Sequence, residues 1–275
     1  MEDPQFRRDL YKGTAADYEQ FRPRYPASLL NDLIARTELE PGGRLLDVAC
    51  GTGQIAFDLA DHFSEVVAID QEPETVAFAT DKAARVNVTN IEFRVDDAEG
   101  FSTEGECFDL VAIGNAFHRV RRRDVAQAAR GWLRPGGFFA LLWGGTPNVP
   151  PGSVGLPEAE WQVVLAELMQ KWMSALDEER VPATFQAALE AEPNGSVLEA
   201  AGFEVVGHWD FLEPYEWSVE TIIGYLYSTS VLSRSFVGER AGELEADARD
   251  ALLAVEPSGV FRQDLSFGYD LARSR

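Results

Sequence analysis

The sequence predicts an α/β protein built on a doubly wound, mostly parallel sheet with helices on both faces. Two observations carry this reading. From Arg44 onward, short β-rich runs alternate with stretches of helical periodicity, the order that parallel strands joined by crossover helices require. The first of these runs also ends in a small-residue turn that opens a helix. At 275 residues, 45% of them hydrophobic and 23 of them glycine, the chain supports one substantial core and is expected to form a single domain over residues 1–275.

Residues 1–40 read as a helical lid or brace. Tyr11, Tyr18, Phe21 and Tyr25 recur there, and the prolines of Arg22-Pro23-Arg24-Tyr25-Pro26 break one helix and open another near Ser28. The strand candidates are Arg44 to Val48, Glu65 to Asp70, Ile91 to Val95, Phe108 to Ile113 and Gly137 to Trp143. Between them, Val76, Ala79, Ala83 and Val86, then Val125, Ala128, Ala129 and Trp132, recur at helical spacing and should cover the sheet. A Gly/Pro-rich stretch, Gly144 to Pro157, leaves the sheet, and a helix follows with Trp161, Val164, Leu165, Leu168 and Trp172 on one face. Residues 144–200 are therefore expected to insert as a helical roof over a substrate. Strands resume at Phe203 to Phe211 and Leu265 to Ala272, separated by helices around Thr221 to Ser230 and Glu243 to Val255.

Composition excludes several classes of function. With 24 basic against 46 acidic residues and a formal net charge of -22, the chain repels a phosphate backbone, so no nucleic-acid partner is expected. No apolar run approaches the ~20 residues that span a bilayer. The N-terminus, with Glu2, Asp3, Arg7 and Arg8, lacks a signal-peptide core, and a cytoplasmic location without a membrane partner is expected. Cys50 and Cys107 are too few for a disulfide framework and lack metal-ligand spacing, so both are read as reduced thiols and no metal is expected.

The chemistry concentrates in Leu45-Leu46-Asp47-Val48-Ala49-Cys50-Gly51-Thr52-Gly53, where glycine permits a sharp turn and close approach of a ligand to backbone N–H groups. Gly51 to Ala56 also fits G-x-G-x-x-A, which keeps a nicotinamide-dependent oxidoreductase as an alternative. Asp47 argues for a different ligand, because a carboxylate just before the turn repels a pyrophosphate and attracts a cationic group. Its other reading is a helix cap or turn residue. Asp70, 19 residues after Gly51 and at the end of the next strand, suits a ribose in either case.

On these residues the chain resembles the class I S-adenosylmethionine (SAM)-dependent methyltransferases, and within them the small-molecule group that includes trans-aconitate methyltransferase-like enzymes. The ordered matches run from the Tyr18 to Pro26 segment through Leu46 to Gly53 and Asp70 to Leu133-Arg134-Pro135-Gly136-Gly137. One departure is Ala49, where that family often has glycine. The resemblance implies a seven-stranded Rossmann-like sheet, SAM as cofactor, and methyl transfer to a small-molecule O, N or C nucleophile. It assigns Asp47 and the backbone of Ala49, Cys50, Gly51 and Gly53 to the methionine end, Asp70 to the ribose and Gln71 to the edge of the adenosine pocket. Asp97, with Asp96 as its alternative, and the Ala98 N–H would meet the adenine, Gly114 and Asn115 would line the methionine side, and Tyr18 and Arg22 would sit near the cofactor.

Methyl transfer from a sulfonium is an in-line displacement that relies on alignment, with a base needed only for a protonated nucleophile. Of His62, His118 and His208, only His118 follows the fourth strand at the cofactor mouth, either as base or as a packed histidine. Tyr25 and Trp217 are candidates for the acceptor pocket, with core packing as their alternative, as it is for Tyr225 and Tyr227. The run His118-Arg119-Val120-Arg121-Arg122-Arg123 points to an acidic acceptor held by Arg119, or else to a solvated helix start balanced by carboxylates. A third class stays open, a protein of this fold that binds SAM in a non-methylating role.

Overall fold

The computed structural model describes residues 8–39, 42–103, 105, 107–147, 159–176 and 189–275. The first seven residues of the expected lid, most of the Gly/Pro-rich loop and residues 177–188 of the expected roof lie outside the described residues.

Seven strands form one sheet: β1 (Gly43–Val48), β2 (Phe63–Asp70), β3 (Ile91–Val95), β4 (Phe108–Gly114), β5 (Leu133–Gly144), β6 (Glu204–Ser218) and β7 (Val260–Arg273). Their spatial order is β3-β2-β1-β4-β5-β7-β6. The first five are mutually parallel, and β7 runs antiparallel to both β5 and β6. Order reverses between β1 and β4, so a crevice opens beyond the carboxyl ends of these strands, where open α/β sheets hold ligands.

Alternation along each strand assigns the two faces. Leu45, Leu110, Ala112, Ala140 and Leu142 point to one side and pack with α2 (Ala27–Thr37) through Leu29 and Leu33, and with α3 (Gln54–Leu59) through Ile55 and Leu59. Leu46, Val48, Val111, Ile113, Phe139 and Leu141 point to the other, against Val125, Ala129 and Trp132 of α5 (Arg122–Trp132). Helix α4 (Pro73–Val86) buries Val76, Ala79 and Ala83 as expected, but Val86, in its last position, is 54% exposed and covers nothing. Ahead of the sheet, α1 (Ala15–Phe21) ends before Pro23, and α2 begins directly after Pro26, whose fixed φ suits a helix start.

The described part of the insertion does not roof the crevice. Helix α6 (Glu160–Ala175) turns Trp161, Leu165, Leu168 and Trp172 into the core near β7, with the Trp161 ring 5.4 Å from Phe261 and Trp172 Nε1 donating to Asp247 at 3.0 Å. Helix α7 (Asn194–Ala200) packs on the α5 side through Val197 and Leu198. Two later helices, α8 (Val219–Tyr227) and α10 (Ala241–Val255), with the short α9 (Arg234–Val237) between them, complete the α6 side. Among the described residues, no helix is long and apolar enough to cross a membrane.

At the exit of β5, Gly144 adopts φ +125°, and a Cβ there would lie 2.4 Å from Ser266 O and 2.5 Å from Phe267 Cα. These are backbone atoms of β7 and cannot swing aside. The Asn115 side chain brackets the same residue, accepting from its N–H at 3.0 Å and donating to its carbonyl at 3.1 Å. Gly144→Ala is expected to cost about 2–4 kcal/mol in urea unfolding, from strain at positive φ plus overpacking.

Candidate functional site

A cleft of about 200 Å³ lies at the carboxyl ends of β1, β2 and β4, with α1 and the turn before it as its cover. Its floor begins with the turn after β1. Ala49, Gly51 and Gly53 all adopt positive φ, at 53°, 55° and 81°. This left-handed run reverses the chain so that Gly53 caps α3. A Cβ on Gly53 would also meet the Phe93 ring at 2.9 Å. Ala49 accepts a conformation that glycine adopts without penalty, which explains why glycine is common there in the resembling family and places a small strain at this position.

The Asp47 carboxylate, 1% exposed, serves this turn on one side only. Oδ2 accepts the Ala56 N–H at 3.0 Å, so the capping role is real, while Oδ1 is buried in the cleft wall without a hydrogen-bond partner. Burial pushes its pKa up to about 8, the Ala56 N–H opposes this, and Asp70 adds to it. Asp70 closes β2 and accepts two backbone donors, Gly51 N–H on Oδ2 and Glu72 N–H on Oδ1, both at 2.9 Å. Its carboxyl is also raised, by burial, and each oxygen keeps a further lone pair for a ligand hydroxyl.

Three more buried polar atoms in the cleft wall lack partners: Thr52 Oγ1, Gln54 Nε2 and the Tyr25 hydroxyl. In its ionised form Asp47 offers an acceptor oxygen, and with the Gln54 donor in the same cleft it is complementary to a group that carries both an ammonium and a carboxylate. The residues present thus fit the amino-acid end of SAM. Gln71, Asp96, Asp97, Ala98, Gly114 and Asn115 also line the cleft, as do Tyr18 and Tyr25. Asp96 is tied to the Asp97 N–H at 2.9 Å, and Asp97 accepts the Gly100 N–H. Gly114 has no room for a side chain, because the Tyr25 hydroxyl and Ile55 Cδ1 stand 2.8 and 2.6 Å from where its Cβ would be.

Several expected residues stand elsewhere. Trp217 is fully buried between Tyr215, 4.6 Å away by ring centroid, and Tyr225, 5.7 Å away, in the core rather than the cleft wall, because β6 runs on to Ser218 and carries it beneath α8. Arg22 also lies outside the wall, stacked 5.0 Å from the Tyr18 ring and 4.6 Å from the Tyr225 ring, and it donates to Ser228 Oγ at 2.9 Å. His118 sits behind the wall in the short turn Phe117–Arg119. Burial and the charges of Arg119, Arg22 and Arg122 drive its pKa down to about 3, so it is neutral but a feeble proton acceptor. Both observations weigh against the general-base expectation for His118.

The arginine run divides. Arg122 donates to Glu192 O at 2.7 Å, Arg123 pairs with the Glu192 carboxylate, and Arg24 turns away to Asp58 at 2.7 Å. Arg119 lines the cleft and donates to Ser230 Oγ at 2.8 Å. Thr14, Thr52, Gln54 and Thr75 line it too and were not singled out from sequence. Only Thr52 and Gln54 had a signal, their place inside the glycine turn. Among the described residues, no group of His, Cys, Asp and Glu is arranged to hold a metal ion, and Cys50 and Cys107 are free thiols.

Comparison with known proteins agrees with this geometry. Residues 45–137 match the model of a methyltransferase domain family. Over 150 residues the chain is 30% identical to the probable S-adenosylmethionine-dependent methyltransferase CRG1 of Saccharomyces cerevisiae, covering 53% of this chain and 49% of that one. The chain spans about half the length of the curated relatives it matches, from 49% to 59%. A candidate type II methyltransferase from Anaeromyxobacter dehalogenans shares the fold with a TM-score of 0.64 at 21% identity, over 93% of this chain and 98% of that one. A phosphoethanolamine N-methyltransferase from Haemonchus contortus, solved with S-adenosylhomocysteine (SAH), superposes with a TM-score of 0.57 at 15% identity, over 100% of this chain and 60% of that one. Residues 45–137 are therefore similar to a methyltransferase domain, and the chain shares its fold with solved methyltransferases. These similarities support SAM as the cofactor and do not single out the trans-aconitate group.

Ala49→Gly should leave stability unchanged or raise it by up to about 1 kcal/mol, relief of strain being partly offset by the freer unfolded chain. Ala49→Val should lower it by about 2 kcal/mol or more, since a β-branched residue tolerates positive φ least. Thermal unfolding of the three proteins measures this order.

Proposed function

We propose that this protein transfers a methyl group from SAM to a small-molecule nucleophile that carries an anionic group. The observation that carries the reading is the orphaned Asp47 oxygen, buried in the cleft together with the orphaned Gln54 amide. When bound, SAM supplies a methyl group activated by the adjoining sulfonium. Asp47 and Gln54 hold its amino-acid end, Asp70 accepts the ribose hydroxyls, and Asp97 with the Ala98 N–H meets the base. Gly114 and Asn115 keep side chains out of the path of the reacting methyl. Tyr25 and Arg119 face the acceptor, Arg119 offering the planar fork that suits a carboxylate or phosphate. No dedicated base is assigned, because alignment alone supplies much of the acceleration in such a displacement.

A nicotinamide cofactor fits the same glycine turn but would bring its pyrophosphate against Asp47, which disfavours it. Calorimetric titration is expected to give binding of SAM and SAH and none of NAD. Asp70→Asn, which keeps an acceptor while removing the charge, should weaken SAM roughly ten- to a hundred-fold. Unchanged affinity would refute the ribose assignment. Methyl incorporation from labelled SAM across a panel of metabolites separates methyl transfer from a non-methylating role. With the acceptor found, Arg119→Gln should raise its KM at least about tenfold while SAM affinity holds, which corresponds to loss of a charge-assisted hydrogen bond. An uncharged best acceptor would exclude the anionic class.

The raised Asp47 pKa makes cofactor affinity depend on pH. Below about 8 the free protein holds a proton on Asp47, and a cation bound beside it favours the ionised form, so binding releases that proton. SAM affinity should rise with pH up to about 8 and then level, and Asp47→Asn should abolish the slope. Because the folded pKa lies above the unfolded one, the same group lowers the stability of the cofactor-free protein as pH rises from about 4 to about 8. Asp47→Asn should remove that decline as well, which denaturant titration at several pH values will show.

A further inference from the structure

The cover of the cleft is held in two different ways on its two sides. Tyr11, Thr14, Ala15 and Tyr18 form part of the cleft wall, yet α1 has no fully buried residue of its own. Toward α8 the contact is shape-matched. The Phe21 ring fills the space where a Gly224 Cβ would stand, and Arg22 lies between the Tyr18 and Tyr225 rings. Toward α4 the contact is ionic, with Lys82 Nζ 2.8 Å from Glu19 Oε1 and Arg24 3.6 Å from the same oxygen. The Lys82 and Glu19 side chains are largely enclosed, 15% and 21% exposed, and Glu19 Oε2 and Lys82 Nζ lack a hydrogen-bond partner of proper geometry.

An enclosed ion pair with incomplete hydrogen bonding adds little net stability, because desolvation offsets the attraction. Removing one partner is costly, since the other is left buried and unpaired. Such a pair suits a contact that opens as a unit and recloses in one register. It is also coupled to the cofactor turn: Lys82 Nζ rests 4.2 Å over the Phe57 ring, and that ring stands 3.1 Å from where a Gly53 Cβ would be.

Resting on the SAM reading above, we propose that the Glu19–Lys82 pair is the latch that positions α1 over the cleft, setting Tyr18 against the cofactor and governing how fast cofactor and product exchange. Lys82 lies outside the cleft wall and acts through Glu19, as a positioning residue. The latch opens with α1, both charges become hydrated, and the wall formed by Tyr11 to Tyr18 moves with it.

Stopped-flow release of SAH and steady-state kinetics test this on the wild type, Lys82→Met, Glu19→Gln and the charge-exchanged variant Glu19→Lys/Lys82→Glu, the last made together with Arg24→Gln so that the cation placed at position 19 meets no like charge. Each single variant should release SAH at least fivefold faster and raise the KM for SAM by a similar factor, with kcat at saturating SAM unchanged or higher. The exchanged pair should return both values to within twofold of wild type, which a general loss of stability would not do. Release rates within twofold of wild type in both single variants, or no recovery in the exchanged variant, overturn the latch while leaving the cofactor reading intact. A wild-type protein that fails to bind SAM overturns the cofactor reading and the latch with it. Hydrogen exchange needs no substitution: amides of residues 15–21 should exchange more slowly with SAH bound, and unchanged exchange refutes the lid.

Discussion

The cleft depends on one tie between two strand ends, the hydrogen bond from the Gly51 N–H to the Asp70 carboxylate at 2.9 Å. It is reinforced by the Cys50 N–H, which reaches Ile69 O at 2.9 Å. Together they hold the turn after β1 against the end of β2, although the turn must pass through three positive-φ residues, Ala49 among them. Without these ties the strained turn would be held chiefly from the α3 side, by the Ala56 N–H on Asp47 and the Gly53 N–H on Cys50 O. The arrangement works against stability, with two enclosed carboxylates driven toward their protonated forms. Local instability of this kind is what a ligand relieves on binding.

Charge in and around the cleft is polarised. The β1–β2 end is acidic, with Asp47, Asp70 and Glu72 in the cleft wall. The β4 end is the opposite, with Arg119 in the wall and Arg22 behind it, both anchored on the buried Ser228–Ser230 turn. Arg22 makes its described contacts with tyrosine and serine groups, so its charge is stabilised by ring faces and hydroxyls. Two poles within one cleft on a chain of net charge -22 underlie the proposal of a cationic donor at one end and an anionic acceptor at the other. Burial, with the same positive field adding to it, makes His118, the residue most eligible by type, a poor proton acceptor.

Much of this was legible before the fold was known, and particular residues show why. Strands β1 to β5 and the stripes of α4 and α5 follow from periodicity, because a face that must be buried on a pleated strand or a helix imprints its period on the chain. That Asp47, Gly51, Asp70, Asp97, Gly114 and Asn115 share one cleft wall was also legible, since each sits at a strand end or in a turn fixed by short-range geometry. For Trp217, Arg22 and His118, the sequence determined the residue type and its approximate place along the chain but not which way the side chain faces. That was decided by tertiary packing: β6 extends beyond its expected end, α8 crosses above it, and α6 packs near β7 instead of over the cleft. The Glu19–Lys82 pair joins residues 63 positions apart, and the partnerless atoms of Asp47 and Gln54 are buried by walls drawn from several distant elements. The sequence alone thus determined the elements and the cofactor turn, which are properties of contiguous residues. Orientation, burial and unmet hydrogen bonds are properties of what surrounds a side chain, and those only the assembled structure decided.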